Sequence, residues 1–125
     1  MLKFVRDVMR TGEAIPLCRN GRLMAEAIVE MSAKGVGCVG IIDSGGKLIG
    51  IITDGGVRRH MKPGLTESPV DEVMTRSPKQ CRPDQLVSEV IEAINSAKIT
   101  AMFVVEGTRP VGVVHLHDLL RVGVT

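Results

Sequence analysis

Aromatic side chains are almost absent from this chain of 125 residues, which contains only Phe4 and Phe103 and no Trp or Tyr. Proteins that hold single-stranded nucleic acid usually stack the bases on aromatic rings, and duplex binding relies on many positively charged contacts. The chain has few rings, and its net charge is only +2. We therefore do not expect it to bind nucleic acid. Its core must be built from aliphatic side chains and the seven Met.

Cysteine is also scarce, and the sequence has no CxxC motif. The three residues Cys18, Cys38 and Cys81 are odd in number and widely spaced, which argues against a disulfide framework and a structural zinc site. Free thiols are typical of a reducing cytoplasm. We expect Cys38 and Cys81 to be thiols of the core.

Long apolar runs are missing as well. No stretch approaches the roughly 18 apolar residues of a membrane span, and the first residues lack the pattern of a secretory signal. We therefore expect a cytoplasmic protein that does not enter a membrane.

The chain instead contains a long internal repeat. The Val-Met pair at positions 8 and 9 returns at positions 73 and 74, and the stretch 23–28 returns 63 positions later. Each half is small for an independent core, so two copies are expected to pack with pseudo-twofold symmetry around a ligand cleft. We assign residues 1–61 to the first repeat, 62–69 to a linker with two Pro, and 70–125 to the second repeat.

Hydrophobic periodicity predicts the order β-α-β-β-α in each repeat, and hence an α/β fold. In the first repeat, one helix face carries the apolar residues and Gly35 ends the helix. That face consists of Met24, Ala27, Ile28 and Met31. The other elements are a strand at 14–18, a hairpin of strands at 38–43 and 47–53, and a helix capped by Asp54 that runs to about residue 61.

The second repeat shows the same pattern. Its first helix is expected to begin at Pro83-Asp84 and to bury Val87, Val90, Ile91 and Ile94. The remaining elements are strands at 79–81, 101–106 and 110–115 and a last helix around 118–122.

The polar residues on the first helix of the chain are expected to face solvent. They are Glu26, Glu30 and Lys34.

These features resemble a tandem pair of cystathionine-β-synthase (CBS) domains, known as a Bateman module. The order of elements, the two Val-Met openings and the sequence GIITDG at 50–55 carry the resemblance. The segments GIITDGGVRRH at 50–60 and PVGVVHLHDLLR at 110–121 are similar to the C-terminal regulatory part of bacterial arabinose 5-phosphate isomerases. The resemblance implies a regulatory portion without catalysis, whose partner is an N-terminal sugar-isomerase domain.

The resemblance also implies where a ligand binds. In CBS pairs a G-h-x-[ST]-x-x-D stretch meets the phosphate through its hydroxyl and the ribose through its Asp. The first repeat keeps Thr53 but has Gly56 at the Asp position, whereas the second keeps Asp118 but has His115 at the hydroxyl position. The second site is therefore the better equipped of the two.

Each repeat contributes its own candidate residues. In the second, Asp118 is expected to hold ribose and His115 or His117 phosphate, beside a backbone shelf for the base at Thr100, Ala101 and Met102. In the first, phosphate is expected to meet Thr53, Asp54, Arg58 and Arg59. Arg121 is the repeat equivalent of Arg59, which indicates a shared role.

A purely structural interpretation stands beside this one. Thr53 and Asp54 then only cap a helix, the three Arg form a solvated face, and the pair serves as a dimerisation element with degenerate ligand sites. The cluster His115-x-His117-Asp118 also invites a zinc interpretation, although the first repeat has no matching ligands. We assign no metal and no catalytic residue.

The function expected from the resemblance is ligand sensing for a sugar-phosphate isomerase that supplies Kdo for lipopolysaccharide. The ligand is expected to be a nucleotide, either AMP- or ATP-like or the pathway product CMP-Kdo. A change in angle between the repeats would be transmitted through the N-terminal segment around Phe4. A homodimer is the expected assembly.

Overall fold

The computed structural model describes residues 3–123. Its main elements are strands β1 (Leu17–Arg19), β2 (Cys38–Ile42), β3 (Leu48–Thr53), β4 (Thr75–Arg76), β5 (Gln80–Cys81), β6 (Ala101–Glu106) and β7 (Arg109–His115), and helices α1 (Met24–Lys34), α2 (Asp54–Arg59), α3 (Val70–Val73), α4 (Val87–Ala97) and α5 (Leu116–Gly123). Short 3-10 helices occupy Val5–Asp7, Gly12–Ala14 and Leu65–Glu67. The predicted mixture of strands and helices is confirmed.

Two sheets organise the strands. One has the order β1-β2-β3-β4 and the other the order β5-β6-β7. In each sheet the first strand pairs in parallel with the next, and the long hairpin strands pair antiparallel. The hairpins of β2 with β3 and of β6 with β7 lie where the sequence predicts them.

The chain forms two compact units that cross the boundary between the sequence repeats. One unit is Pro16–Pro78, and the other joins the N-terminal segment up to Ile15 with the chain from Lys79 onward. Each unit has its own apolar core. The first includes Met24, Ile41 and Leu65, and the second includes Val5 and Ile94.

The positions of the two Val-Met pairs explain why each unit combines residues of both sequence repeats. Met9 opens the first repeat, but its sulfur packs on Gly112, where an added Cβ would lie 2.6 Å from it. Met74 opens the second repeat and packs in the same way on Gly50, again at 2.6 Å from a Cβ position. Each opening segment therefore completes the core of the unit that holds the other repeat's hairpin.

The buried apolar faces predicted for the helices are confirmed, but not every predicted helix end is. Met24, Ala27 and Met31 are buried on α1, and Gly35 ends it with a left-handed φ of 70°. Helix α4 begins at Val87, so the start predicted at Pro83-Asp84 is wrong. The Glu89 side chain accepts a hydrogen bond from the Leu86 N–H at 2.8 Å, which satisfies one of the free backbone donors at this end.

Other local predictions need correction. Residues Gly12–Ala14 form a 3-10 turn, and the first strand starts only at Leu17. Glu30 is half-buried, because its carboxylate accepts from Leu17 N at 3.2 Å and pairs with Lys34 Nζ at 2.9 Å. In the segment 62–69, Leu65 is 4% exposed and belongs to the core of its unit. Among residues 3–123, no helix combines the length and the apolar character needed to span a bilayer.

Candidate functional site

Asp118 is the centre of the best-defined polar cluster. It lies in the first turn of α5, where the helix dipole favours negative charge. Its Oδ2 accepts a hydrogen bond from Arg10 Nε at 3.0 Å, and its Oδ1 accepts one from Arg121 at 3.3 Å. The Asp118 side chain is only 19% exposed, so both contacts hold it in a partly desolvated position.

Arg10 is fixed independently of this ion pair. Its N–H donates to the carbonyl of Val113 on β7 at 2.9 Å, and its own carbonyl accepts from the Val113 N–H at 3.0 Å. The guanidinium therefore reaches Asp118 from a backbone that is already anchored to the sheet. Arg10 was not among the residues predicted from the sequence. The sequence does contain a signal, because Arg10 directly follows the first Val-Met pair as Thr75 follows the second. Thr75 pairs with Ile51 on β3 in the same way that Arg10 pairs with Val113 on β7.

The carboxylate keeps capacity for a ligand. An ionised carboxylate offers about four lone-pair positions, and Arg10 and Arg121 use two of them. The remaining positions can accept hydrogen bonds from hydroxyl groups. Arg121 is 76% exposed and contacts the cluster from the solvent side.

His115 and His117 lie at the junction of β7 and α5. Their ring centroids are 4.8 Å apart in an edge-to-face arrangement. The His115 Nδ1 accepts a hydrogen bond from the His117 backbone N–H at 3.1 Å, so a neutral His115 ring carries its proton on Nε2. This Nε2–H group can donate to an anionic ligand.

The surroundings favour the neutral form of His115. Burial lowers the pKa of the His115 ring below its ordinary value of 6.5, and the charges of His117 and Arg10 act in the same direction. The Asp118 carboxylate opposes this shift. Because burial dominates, the ring is expected to be a neutral donor at pH 7.

The predicted base shelf lies at the start of β6, with Thr100 directly before the strand, and its residues differ in exposure. Thr100 is exposed, and its carbonyl accepts from the Leu116 N–H at 2.8 Å, which ties β6 to the start of α5. Ala101 and Met102 are buried at 7% and 3% exposure, and the Met102 side chain belongs to the core. Any contact of these two residues with a base must therefore come from the backbone.

The candidate site residues of the first repeat lie around α2, in the unit Pro16–Pro78. The Thr53 hydroxyl accepts from the Gly56 N–H at 3.0 Å and is the N-cap of this helix, so the prediction that Asp54 is the cap is wrong. Asp54 is exposed, and its N–H donates to the Gly37 carbonyl at 3.1 Å. The structure thus uses Thr53 as the structural interpretation predicts, while the hydroxyl proton stays available to an acceptor.

Arg59 folds back over this turn. One of its terminal nitrogens lies 3.1 Å from the position that a Cβ on Gly55 would take. Arg58 and Arg59 are both exposed. The structure therefore brings Arg59 to the Thr53 end of α2.

Metal and thiol chemistry find no support in the described part of the chain. Within residues 3–123, no group of three or more His, Cys, Asp or Glu is placed to hold a metal ion. Cys38 and Cys81 are core thiols, as predicted, at 2% and 4% exposure. Burial raises the pKa of Cys38 to about 12 and that of Cys81 to about 11, so neither is a nucleophilic thiolate at neutral pH.

Residues 5–63 and 70–124 each match the CBS domain family. The chain belongs to this family. It is a CBS pair, as the sequence analysis predicted. The two matched segments, each a β-α-β-β-α repeat, together account for nearly the whole length of the chain.

The resemblance to arabinose 5-phosphate isomerases is also confirmed. The chain is 40% identical over 127 residues to the arabinose 5-phosphate isomerase KdsD of Pseudomonas aeruginosa, which covers 99% of this chain and 39% of the relative. It is 35% identical over 126 residues to KdsD of Escherichia coli K12, which covers 99% and 38%. The CBS pair therefore spans about two fifths of the length of these curated relatives.

Solved structures share the fold. The CBS domain pair of protein MJ0100, in complex with 5-methylthioadenosine and S-adenosyl-L-methionine, has a TM-score of 0.86 at 23% identity and covers 98% of this chain and 97% of that one. CBSX2 in complex with AMP has a TM-score of 0.81 at 17% identity, with coverage of 97% and 96%. At this level of identity the likeness shows the fold alone.

Proposed function

We propose that this CBS pair is the ligand-sensing, non-catalytic regulatory part of an arabinose 5-phosphate isomerase that serves the Kdo and lipopolysaccharide pathway. The identity to KdsD proteins across 99% of the chain supports the pairing with an N-terminal sugar-isomerase domain. A cytoplasmic location follows from this assignment. The proposed ligand is a nucleotide or a nucleotide sugar, in line with the adenosine compounds bound to MJ0100 and CBSX2.

The Asp118 carboxylate is the observation that carries the ligand proposal. It is partly desolvated and oriented by two Arg, and two Arg contacts leave lone pairs for a vicinal diol. A ribose would place its hydroxyls on Asp118. Its phosphate would take the His115 Nε2–H group and the exposed Arg121 guanidinium, and the backbone at Thr100 would lie beside the base.

Calorimetry of the full chain with AMP, ATP and CMP-Kdo tests this proposal. Asp118→Ala is expected to abolish binding, and 2′-deoxy-AMP is expected to bind about tenfold more weakly than AMP, since it loses one hydrogen bond to a charged acceptor. Asp84→Ala is a matched control, because Asp84 is an exposed carboxylate of the same unit that pairs with Arg82. Absence of heat with all three nucleotides would contradict the proposal.

A dimerisation element is the second candidate function. Thr53 is committed to capping α2, Gly56 stands at the family's Asp position, and the exposed large apolar side chains include Met61 at 67% and Leu120 at 39%. Sedimentation equilibrium of the wild type and of Leu120→Glu tests this idea. A homodimer that Leu120→Glu dissociates, together with no nucleotide binding, would favour the structural function over ligand sensing.

A further inference from the structure

The N-terminal segment contacts three elements of its unit. The Val87 N–H at the start of α4 donates to the Lys3 carbonyl at 2.9 Å, and Arg10 exchanges two backbone hydrogen bonds with Val113 on β7. The Arg10 side chain extends these contacts to α5, because its Nε donates to Asp118 at 3.0 Å. All of these residues belong to one unit. The segment and the proposed nucleotide site are therefore joined by a side chain as well as by the sheet.

The Asp118 carboxylate depends on its donors for orientation. The terminal torsion of an Asp side chain is broad, so a carboxylate without donors can rotate. Arg121 contacts Asp118 at 3.3 Å from a side chain that is 76% exposed. Arg10 makes the shorter contact, at 3.0 Å, from a side chain that is 37% exposed and from an anchored backbone. Arg10 is therefore the main constraint on the direction of the Asp118 lone pairs.

The two repeats differ at both ends of this ion pair. Thr75 is the repeat equivalent of Arg10, and Gly56 is the repeat equivalent of Asp118. The other unit therefore has neither the cation nor the carboxylate at these positions. The backbone of Thr75 nevertheless pairs with its sheet as the backbone of Arg10 does. The backbone role of this position thus does not require an Arg, and the Arg occurs where there is a carboxylate to orient.

Stability gives only a weak reason for this pair, because partly exposed ion pairs typically contribute little to the free energy of unfolding. Orientation has a separate value for binding, since a group that is already ordered loses no rotational freedom when a ligand arrives. A vicinal diol benefits most, because both of its hydroxyls must meet the lone pairs of one carboxylate. Orientation of Asp118 therefore accounts for Arg10 better than stability does.

We propose that Arg10 is a positioning residue for ribose recognition, which orients the Asp118 carboxylate and thereby couples ligand binding to the N-terminal segment. This inference rests on the proposed function. A ligand that holds Asp118 in place stabilises the attachment of the segment, and by thermodynamic linkage the attached segment strengthens ligand binding to the same degree. In the proposed parent enzyme, this segment follows the sugar-isomerase domain and is the part of the CBS pair through which the ligand acts on it.

Calorimetry of the full chain with AMP and 2′-deoxy-AMP tests the positioning role. The wild type is expected to prefer AMP about tenfold, and Arg10→Met is expected to reduce this preference to about threefold, since a rotating carboxylate selects the hydroxyl less well. Both ligands carry the same phosphate, so the lost positive charge weakens both equally and cancels from the ratio. Arg109→Met is the control, because Arg109 is an exposed cation on β7 of the same unit. It is expected to leave the ratio unchanged.

Amide hydrogen exchange of the ligand-free chain tests the coupling without a nucleotide. Asp118→Ala is expected to speed exchange of the Arg10 amide about two- to fivefold relative to the Ile94 amide in the core, since it removes one partly exposed ion pair from the segment. Glu92→Ala, which removes an exposed carboxylate on α4 of the same unit, is expected to change neither rate. Saturating AMP is expected to slow exchange at position 10 in the wild type but not in Arg10→Met.

The outcomes separate this inference from the proposed function. An unchanged preference for AMP in Arg10→Met, or an equal loss in Arg109→Met, would overturn the positioning role. Exchange that changes uniformly across the unit in Asp118→Ala would overturn the coupling, because it would reflect global stability alone. Absence of heat with AMP, ATP and CMP-Kdo would contradict the proposed function and with it ribose recognition, and the ligand-free exchange rates would still decide whether Arg10 couples Asp118 to the segment.

Discussion

Arg10 Nε lies 3.0 Å from Asp118 Oδ2 and so joins two residues that are 108 positions apart in the chain. The contact fixes the orientation of the carboxylate in the first turn of α5. It also ties the N-terminal segment to the polar cluster that we propose as the nucleotide site. A ligand that engages Asp118 would therefore act on a group to which this segment is directly bonded.

The strength of this ion pair can be measured by a double-mutant cycle with Arg10→Met and Asp118→Asn. The Arg10 and Asp118 side chains are 37% and 19% exposed, and we expect a coupling free energy of about 0.5–1 kcal/mol from chemical denaturation. The exposed pair Arg22–Glu26, at 3.6 Å, is the control and is expected to give about 0.3 kcal/mol. Equal coupling in the two cycles would mean that Arg10 does not hold Asp118 in place.

Local patterns in the sequence predicted most elements of the fold. The spacing of Met24, Ala27 and Met31 identified α1, and Gly35 identified its end, because both signals depend only on neighbouring residues. The start of α4 was predicted wrongly because Pro83 and Asp84 are typical of a helix start, whereas here they belong to a turn in which Arg82 N–H donates to the Gln85 side chain at 2.9 Å.

Contacts between distant segments could not be predicted in the same way. The sequence identified Asp118 through the resemblance, but not Arg10, since the repeat suggested that the N-terminal segment would stay with its own half. The exchange of the two Val-Met segments decides where Arg10 lies.

Acidification should reveal the lowered pKa of His115. Its pKa is lowered in the folded state, so the unfolded chain binds the proton more readily and stability falls as the pH drops below about 6.5. Above that value the contribution is constant. The thermal midpoint of the wild type should therefore decrease more between pH 7.5 and 5.5 than that of His115→Asn.

An NMR titration of the His115 ring provides the control for this experiment. It should show an apparent pKa below 6.5 and an unprotonated Nδ1, as the hydrogen bond from the His117 N–H requires. Identical pH profiles for the wild type and His115→Asn would contradict the assignment of this pH dependence to His115.

The role of Thr53 as a cap predicts a specific pattern of stability. Thr53→Ala removes the acceptor of the Gly56 N–H and should lower the free energy of unfolding by about 1 kcal/mol. Thr53→Ser keeps the hydroxyl and should lie close to the wild type. Urea denaturation of the three proteins measures the difference, and equal loss in both variants would show that the methyl group, rather than the cap, is responsible.

The contacts of Met9 with Gly112 and of Met74 with Gly50 predict that both glycines resist substitution. An added Cβ would lie 2.6 Å from a Met sulfur in each case, but at Gly112 it would also lie 3.1 Å from the Arg10 carbonyl oxygen. A Met side chain can move, whereas the Arg10 backbone is held by its two hydrogen bonds to Val113. We therefore expect Gly112→Ala to lower the free energy of unfolding by about 1–3 kcal/mol and Gly50→Ala to cost less.

Removing the obstructing side chain separates the two causes. In the background of Met74→Ala, only part of the cost of Gly50→Ala should disappear, because the sulfur and Cγ are removed while the Met74 Cβ stays 3.2 Å from the added Cβ. In the background of Met9→Ala, a substantial part of the Gly112→Ala cost should persist, because the Arg10 carbonyl is still there. Denaturation of the two double-mutant cycles measures this directly. Full rescue of Gly112→Ala by Met9→Ala would mean that the N-terminal segment can shift away from β7, and that Arg10 is not anchored there independently of its ion pair with Asp118.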